Sequence, residues 1–238
     1  AKKSKYVQDI SDFIDIKLRK RTATKKEVQR LQNKFLNADE LKSCLQQLKE
    51  INPRIGLAME FIALTGLRCG ELLALRVQDY YKDKSIININ GTIIKSARNG
   101  EDTQRGTPKN SYSYRDVIIN DRAKYILDSI ILENKKLASW NSKKYKDKGY
   151  IFTTSTGNPF NIQYINTKLR KIKLADKKIS THIFRHTHIS ILSELGLPLK
   201  SIMQRVGHND PKTTLSIYTH VTNNMNNEMK NKLKALSF

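Results

Sequence analysis

All five histidines of this 238-residue chain, His182, His186, His188, His208 and His220, lie in its last quarter. Three of them fall in one short run, H-I-F-R-H-T-H at 182–188. On a helix, positions three and four apart are neighbours, so His182, Arg185 and His186 share a face. Two histidines at i, i+4 have the spacing of a zinc site. Here, however, Ile183 stands where H-E-x-x-H has its Glu, and an Arg between the ligands repels a cation. An Arg beside a His suits an anion instead. Guanidinium offers a fixed fork of donors that matches two phosphate oxygens, and imidazole donates or relays a proton. The plain alternative is a helix with one buried, hydrogen-bonded His and solvated neighbours.

A second candidate cation is Arg68, in T-G-L-R-C-G-E-L-L-A-L at 65–75. Gly66 and Gly70 allow backbone to approach closely at a helix junction. Glu71, three residues after Arg68, orients a neighbour or forms an ordinary i, i+3 surface pair worth a few tenths of a kcal/mol. The third segment is V-G-H-N-D-P-K-T-T-L-S-I-Y-T-H at 206–220. His208 follows a glycine, Pro211 can open a helix, and Tyr218 falls near the end of that run. Such a tyrosine is ordinarily a half-buried aromatic. Beside a phosphate clamp it becomes the nucleophile to consider, although a phenol with a pKa near about 10 needs cationic neighbours or a base to attack at neutral pH.

Composition says what the anion is. With 44 Lys+Arg against 22 Asp+Glu the formal charge is 44 − 22 = +22, which points to a polyanion such as DNA or RNA and, less often, an anionic membrane surface. No run of 18 or more apolar residues is present, so no bilayer span is read. The start, AKKSKYVQDI, has no apolar signal-peptide core, and the missing initiator Met reads as a fragment of a longer chain. Two cysteines, Cys44 and Cys69, in a large Lys-rich chain read as reduced and intracellular.

The elements that must position these residues follow from apolar spacing. Residues 1–37 are polar and read as a linker or the remnant of an upstream domain. A helix begins near Asn37, with Asn37 and Glu40 as a capping pair, and ends at Pro53. A second, apolar helix runs over about 54–64 to Gly66, and a short third covers about 70–75. The β-branched runs 85–94 and 114–119 read as strands joined by a long loop, Lys95 to Ser113. Residues 121–140 form a helix capped by Asp121, 150–153 a short strand, and the chain from Pro159 is helical with breaks near 179–180, 196–198 and 207–211. The fold expected is α+β and mainly α: one helical domain over 38–238 with a small antiparallel sheet, its final helix at 222–238.

Taken together, T-G-L-R-C-G-E-L, H-I-F-R-H-T-H and G-H followed ten residues later by Y-T-H resemble the three boxes of the tyrosine recombinase (phage integrase) family, in order, over roughly 38–222. The resemblance implies that Arg68 and Arg185 clamp the scissile phosphate and that Tyr218 attacks it, giving a 3′-phosphotyrosyl link and a free 5′-hydroxyl. Neither metal, ATP nor any other cofactor is implied. His182 would act in proton transfer and His208 would bond the phosphate, with His186 and Glu71 supporting. The family places a general-acid Lys in the hairpin loop; Lys109 stands where the pattern expects it, and Lys95 competes. His188 and His220 are expected only to pack or be solvated. Double-stranded DNA with attachment sites is the implied partner, for the integrase of a mobile element or prophage in a bacterial cytoplasm, associated with the nucleoid. A homo-tetramer on synapsed DNA is implied too. An excisionase is a further partner, and Met225, Met229, Leu233 and Leu236 pack on their own domain or on a neighbouring protomer.

Two rivals remain: a type IB topoisomerase, which the short separation of Arg68 and Tyr218 disfavours, and a non-catalytic DNA-binding module. All three readings share one expectation from the charge. Affinity for double-stranded DNA should fall steeply between about 50 and 200 mM salt through counterion release, by about 10³-fold or more if six or more phosphates are contacted. A titration at several salt concentrations checks it, and a flat dependence contradicts a phosphate-bound partner.

Overall fold

In the computed structural model the described residues are 29, 32–95, 103–107, 113–174, 177–208 and 211–234. They form eight α-helices and five short strands. The helices are α1 (Ala38–Ile51), α2 (Pro53–Thr65), α3 (Cys69–Ala74), α4 (Asp121–Trp140), α5 (Ile162–Leu169), α6 (Thr181–Glu194), α7 (Leu199–Val206) and α8 (Lys212–Lys234). The strands are β1 (Tyr80–Tyr81), β2 (Ile86–Ile89), β3 (Thr92–Lys95), β4 (Gln104–Gly106) and β5 (Arg115–Ile118). The expected class, mainly helical with small antiparallel sheets, is what the chain adopts.

Helix α2 is apolar around most of its circumference, and Ile55, Ala58, Met59, Phe61 and Ile62 are fully buried. A helix of that kind belongs at the centre. Helices α1, α4 and α6 pack around it, and α8 packs on α6 and α7. The main core joins α2 to Leu72, Leu73, Ile87, Val117, Ile126, Phe152 and Phe184, and each such buried side chain contributes about 1.5–3 kcal/mol of transfer free energy. A second cluster of Ile189, Ile202, Val206, Ile217 and Val221 fixes α8 against α6 and α7.

Local chemistry sets the boundaries. The Asn37 side chain accepts from the Glu40 amide at 2.9 Å, and the Glu40 carboxylate accepts from the Asn37 amide at 2.8 Å, the reciprocal cap expected. Asn52 caps the end of α1 and the start of α2, with Pro53 at the first helical position. Helix α4 differs from expectation: its cap is Asn120, whose extended backbone lets its side chain accept from the Ala123 amide. Asp121 is already helical, where its charge favours the first turn.

The 85–94 run is not one strand. Strand β2 pairs with β1 and β5, Ile87 opposite Val117, whereas β3 pairs with β4 in a separate two-stranded sheet. Between them Asn90 turns aside to donate to Asp79 at 2.8 Å and also bonds Arg105, which bends the chain off the first ladder. Strand β4 therefore lies inside the segment expected to be loop. Residues 150–153 make single bridges, Tyr150 with Arg76 and Thr153 with Pro159, instead of a strand. At the N-terminal side the fold begins before residue 38: Leu36 is 2% exposed and its amide donates to Thr187 Oγ1 at 2.9 Å. At the other end α8 is continuous from 212 to 234, so no separate helix starts at 222.

Helix α2 ends at Gly66, which has φ +72° and whose amide donates to Ile62 O at 2.8 Å. A Cβ there would lie 2.5 Å from His188 Cδ2 and 2.9 Å from Val206 Cγ1. Gly66→Ala should therefore cost roughly 2–4 kcal/mol, from backbone strain plus displacement of the His188 ring. Gly149, at φ +73° with nothing within 4 Å, provides the control and should cost only about 1 kcal/mol as Ala. Urea midpoints of the two variants test the difference, and equal losses would remove the steric part of the argument.

Candidate active site: arginines gathered on two helix ends

Arg68 stands at the N-cap of α3, two residues after the Gly66 turn. Its backbone amide donates to Glu71 Oε2 at 3.0 Å and its Nη1 to Glu71 Oε1 at 2.7 Å. Its Nη2 donates to Gly207 O at 2.7 Å. Arg185, in the middle of α6, is 2% exposed and donates from Nη1 to Gly66 O and from Nη2 to Val206 O, both at 2.6 Å. The accepting carbonyls close α2 and α7, where helix ends leave oxygens unsatisfied and the helix dipole is negative. Two guanidinium groups thus satisfy three such oxygens and fasten α2, α6 and α7 together.

Glu71 is not in a surface pair. It is 3% exposed and shared: Arg115 Nη2 reaches its Oε2 at 2.9 Å from the opposite side. Burial alone would raise its pKa, but the charge and hydrogen bonds of Arg115, then Arg185 and the Arg68 amide, hold the carboxyl below its usual range. Among the described residues Arg185 has no carboxylate partner. Burial, followed by the neighbouring Arg68 charge, pushes its pKa down to about 9, still charged at neutral pH.

The histidines of the site are held neutral. His208 follows the end of α7 and its Nδ1 lies 2.5 Å from Thr214 Oγ1. Burial, then the charges of Arg185 and Arg68, push its pKa down to about 3. When the Thr214 hydroxyl donates to Nδ1, the neutral ring carries its proton on Nε2, which is then the nitrogen able to donate to an anion. His186 Nδ1 lies 3.2 Å from Lys34 O, an oxygen that can only accept, so the neutral ring is protonated on Nδ1. Burial holds its pKa at about 4. The rings of His182 and His186 are 6.5 Å apart and nearly parallel, at 22°. His182, solvent-exposed at the first turn of α6, is lowered by partial desolvation, then by Arg185 and Arg68.

Tyr218 is half-buried on α8 against the second cluster. It lies four residues after Thr214 and so one turn beyond the hydroxyl that meets His208. The structure thus brings Arg68, bonded to Glu71, together with Arg185 and His208 at the ends of α2 and α7, with His182 and His186 beside Arg185 on α6. Lys109 lies outside the described residues. Lys95 closes β3. His188 packs, as expected, but as a bonded core group: Nδ1 meets Ala63 O at 2.8 Å and Nε2 accepts from Arg205 Nε at 3.0 Å. His220 is buried and its ring is 6.0 Å from that of Phe35.

Sequence reasoning missed Arg115, Arg205 and Thr214. Arg115 sits in Y-R-D-V-I-I, read only as a strand, and its partner Glu71 is 44 residues away, beyond any local spacing rule. Thr214 lies six residues from His208, outside the helical spacing of three or four.

Residues 34–225 match the phage integrase family. The chain belongs to that family. It is 46% identical over 184 residues to the integrase of Staphylococcus phage L54a, covering 76% of this chain and 52% of that protein. It is 41% identical over 217 residues to the prophage ps2 probable integrase of Lactococcus lactis, covering 88% and 56%. The chain thus spans about half the length of these curated relatives. Among solved structures, the Tn1549 transposon integrase in complex with transposon right end DNA superposes with a TM-score of 0.64 at 21% identity, covering 84% of this chain and 66% of that one. XerA recombinase gives 0.59 at 23% identity, covering 85% and 64%. These likenesses establish the shared fold of this phage integrase family member.

Neutral buried histidines make stability depend on pH. His188, 4% exposed, has its pKa pushed down to about 3 by burial and then by Arg205, against about 6.5 in an unfolded chain. As pH falls below about 6.5 the unfolded chain takes up a proton that the folded one refuses. The stability is therefore fully present above about 6.5 and lost progressively towards pH 3, at up to about 1.4 kcal/mol per pH unit. His186 and His208 act in the same direction. Urea unfolding at pH 7, 6, 5 and 4.5 should give a shallower slope, by about one proton, for His188→Asn, which keeps a donor towards Ala63 O. An unchanged slope would show that His188 titrates normally.

Proposed function

We propose that this chain is the catalytic part of a site-specific DNA recombinase, the integrase of a prophage or related mobile element, which cuts and rejoins DNA through a covalent phosphotyrosine. The observation that carries this reading is the charge of the site. Arg68 and Arg115 share one carboxylate, Glu71, while Arg185 beside them is bonded only to carbonyl oxygens, so the balance of these four groups is 3 − 1 = +2. Fixed guanidinium groups with unbalanced charge stabilise an anion that gathers charge in the transition state, the dominant contribution in phosphoryl transfer.

In this mechanism the Tyr218 hydroxyl attacks the scissile phosphorus, and His182, neutral and beside Arg185, takes the phenolic proton. Arg68 and Arg185 oppose the charge on the non-bridging oxygens, and His208 donates to one of them. The bond to the 5′-oxygen breaks, Lys109 returns a proton to that oxygen, and a 3′-phosphotyrosyl ester remains. Attack by a 5′-hydroxyl reverses the step, so bond energy is conserved and neither ATP nor a metal is needed. The catalytic domain expected over 38–238 takes in the packed residues 34–36 as well, and the polar segment before them is read as a linker or the remnant of an upstream domain. Four protomers would act on two synapsed sites, with Met225 and Met229, 41% and 53% exposed on α8, available to a neighbour; an excisionase would set direction. A cytoplasmic protein on the bacterial nucleoid fits this role, and among the described residues no helix is long and apolar enough to cross a membrane.

The test is a nicked duplex carrying the attachment site, on which the cleaved strand cannot be resealed. Wild type should accumulate a covalent adduct and Tyr218→Phe none. Arg185→Ala and Arg68→Ala should lose about 10²–10³-fold in cleavage rate with affinity changed only a few-fold. An adduct with Tyr218→Phe would reassign the nucleophile, and tight binding without any wild-type adduct would make the chain a binding module.

A further inference from the structure

Arg115 opens β5 with its side chain 8% exposed, and each of its three guanidinium nitrogens donates a hydrogen bond. Nε donates to Arg205 O at 2.7 Å, Nη1 to Ser113 O at 3.0 Å and Nη2 to Glu71 Oε2 at 2.9 Å, with Nη1 also 3.4 Å from Glu71 Oε1. Glu71 meanwhile accepts from the side chain and amide of Arg68. One carboxylate therefore lies between two guanidinium groups, the inner one buried and the outer one 34% exposed.

We propose that Arg115 is a positioning residue of the phosphate clamp: it engages Glu71 from the interior so that the charge of Arg68 stays available to the scissile phosphate. This rests on the strand-cleavage reading above. Without Arg115 the local balance falls from 3 − 1 = +2 to 2 − 1 = +1, and Glu71 pairs with Arg68 alone. The carboxylate that orients Arg68 would then also neutralise it. Arg115 does not touch the phosphate in this scheme, since its side chain is buried and its three nitrogens are engaged by Arg205 O, Ser113 O and Glu71. One of its carbonyl contacts adds a second effect. The bond to Arg205 O ties β5 to α7, which ends just before His208.

A bracing role and a charge role separate by chemistry. A methylphosphonate at the scissile position has one anionic oxygen replaced by a methyl group, which removes the negative charge that the arginines oppose. The rate of covalent adduct formation is measured with the full-length protein on nicked duplexes with a phosphate or a methylphosphonate at the site where wild type reacts. Arg115→Ala should lose on the order of 10–100-fold on the phosphate, at nearly unchanged duplex affinity, and no more than about 3-fold on the methylphosphonate. The pair Arg115→Ala with Glu71→Gln, which restores a balance of +2, should recover part of the lost rate. Arg115→Lys, which keeps the charge without the fork, should lie between wild type and Arg115→Ala. Equal losses on both substrates, with no recovery in the double variant, would overturn the proposal in favour of a mere brace. If Arg115→Ala fails to fold, the same comparison is made with Arg115→Lys, where an equal loss on both substrates is again the overturning result. Absence of any wild-type adduct would overturn the cleavage reading and this inference with it, whereas a wild-type adduct with an undiminished Arg115→Ala rate would overturn this inference alone.

Discussion

The fold depends on keeping several guanidinium groups together beneath a surface with too little negative charge to neutralise them. Burying an unpaired charge costs several kcal/mol even after relaxation. Here the compensation comes from backbone. Gly66 O, Val206 O and Gly207 O are the oxygens that helix ends leave unsatisfied, and Arg185 and Arg68 supply their missing donors. Each charge is held by dipoles that orient it without cancelling it, as a counter-ion would. Glu71 is the exception, and its charge is divided between Arg68 and Arg115. The site can therefore be structurally satisfied and electrostatically hungry at once.

That field also acts on the neighbouring imidazoles. Burial is the largest penalty on protonating these rings, and the charges of Arg185 and Arg68 at His208, and of His182 and Arg185 at His186, add to it, so both stay neutral well below pH 7. A neutral ring can accept a proton on one nitrogen while donating from the other. The same crowding disfavours a metal reading of His182 and His186 more strongly than the missing Glu does, since Arg185 projects from between them and is fixed in place. His188 shows the structural use of the same chemistry: bonded on both nitrogens, it links Ala63 of α2 to Arg205 of α7 under the site.

Much of this was legible in the sequence because the informative spacings are local. The capping pair Asn37 and Glu40, the glycine stop at Gly66 and the shared face of His182, Arg185 and His186 all arise within one or two turns of helix, and three boxes in order were enough to place the family. What escaped is non-local. Asn90 leaves the strand ladder for Asp79, so an unbroken β-branched run becomes two strands in two sheets. Arg115 meets Glu71 across 44 residues of chain, once β5 is laid against β2, and nothing in Y-R-D-V-I-I announces an inward guanidinium. The Asn120 cap was missed by one residue because Asp121 is equally good at capping, and only backbone geometry decides between them.

The junction at residues 34–36 extends the same logic towards the N-terminus. Lys34 O meets His186, the Leu36 amide meets Thr187 Oγ1, Phe35 O accepts from Lys177, and the Phe35 ring lies against His220. Thr187 in turn donates to Ile183 O one turn earlier on α6. Lys34 and Leu36 thus brace the helix that carries Arg185, and Phe35 between them touches the helix that carries Tyr218. Polar composition marked this stretch as linker, yet its backbone does structural work that composition does not register. A chain entering the domain here is joined directly to the two helices that carry Arg185 and Tyr218, so the geometry of that entry bears on how those two side chains are placed.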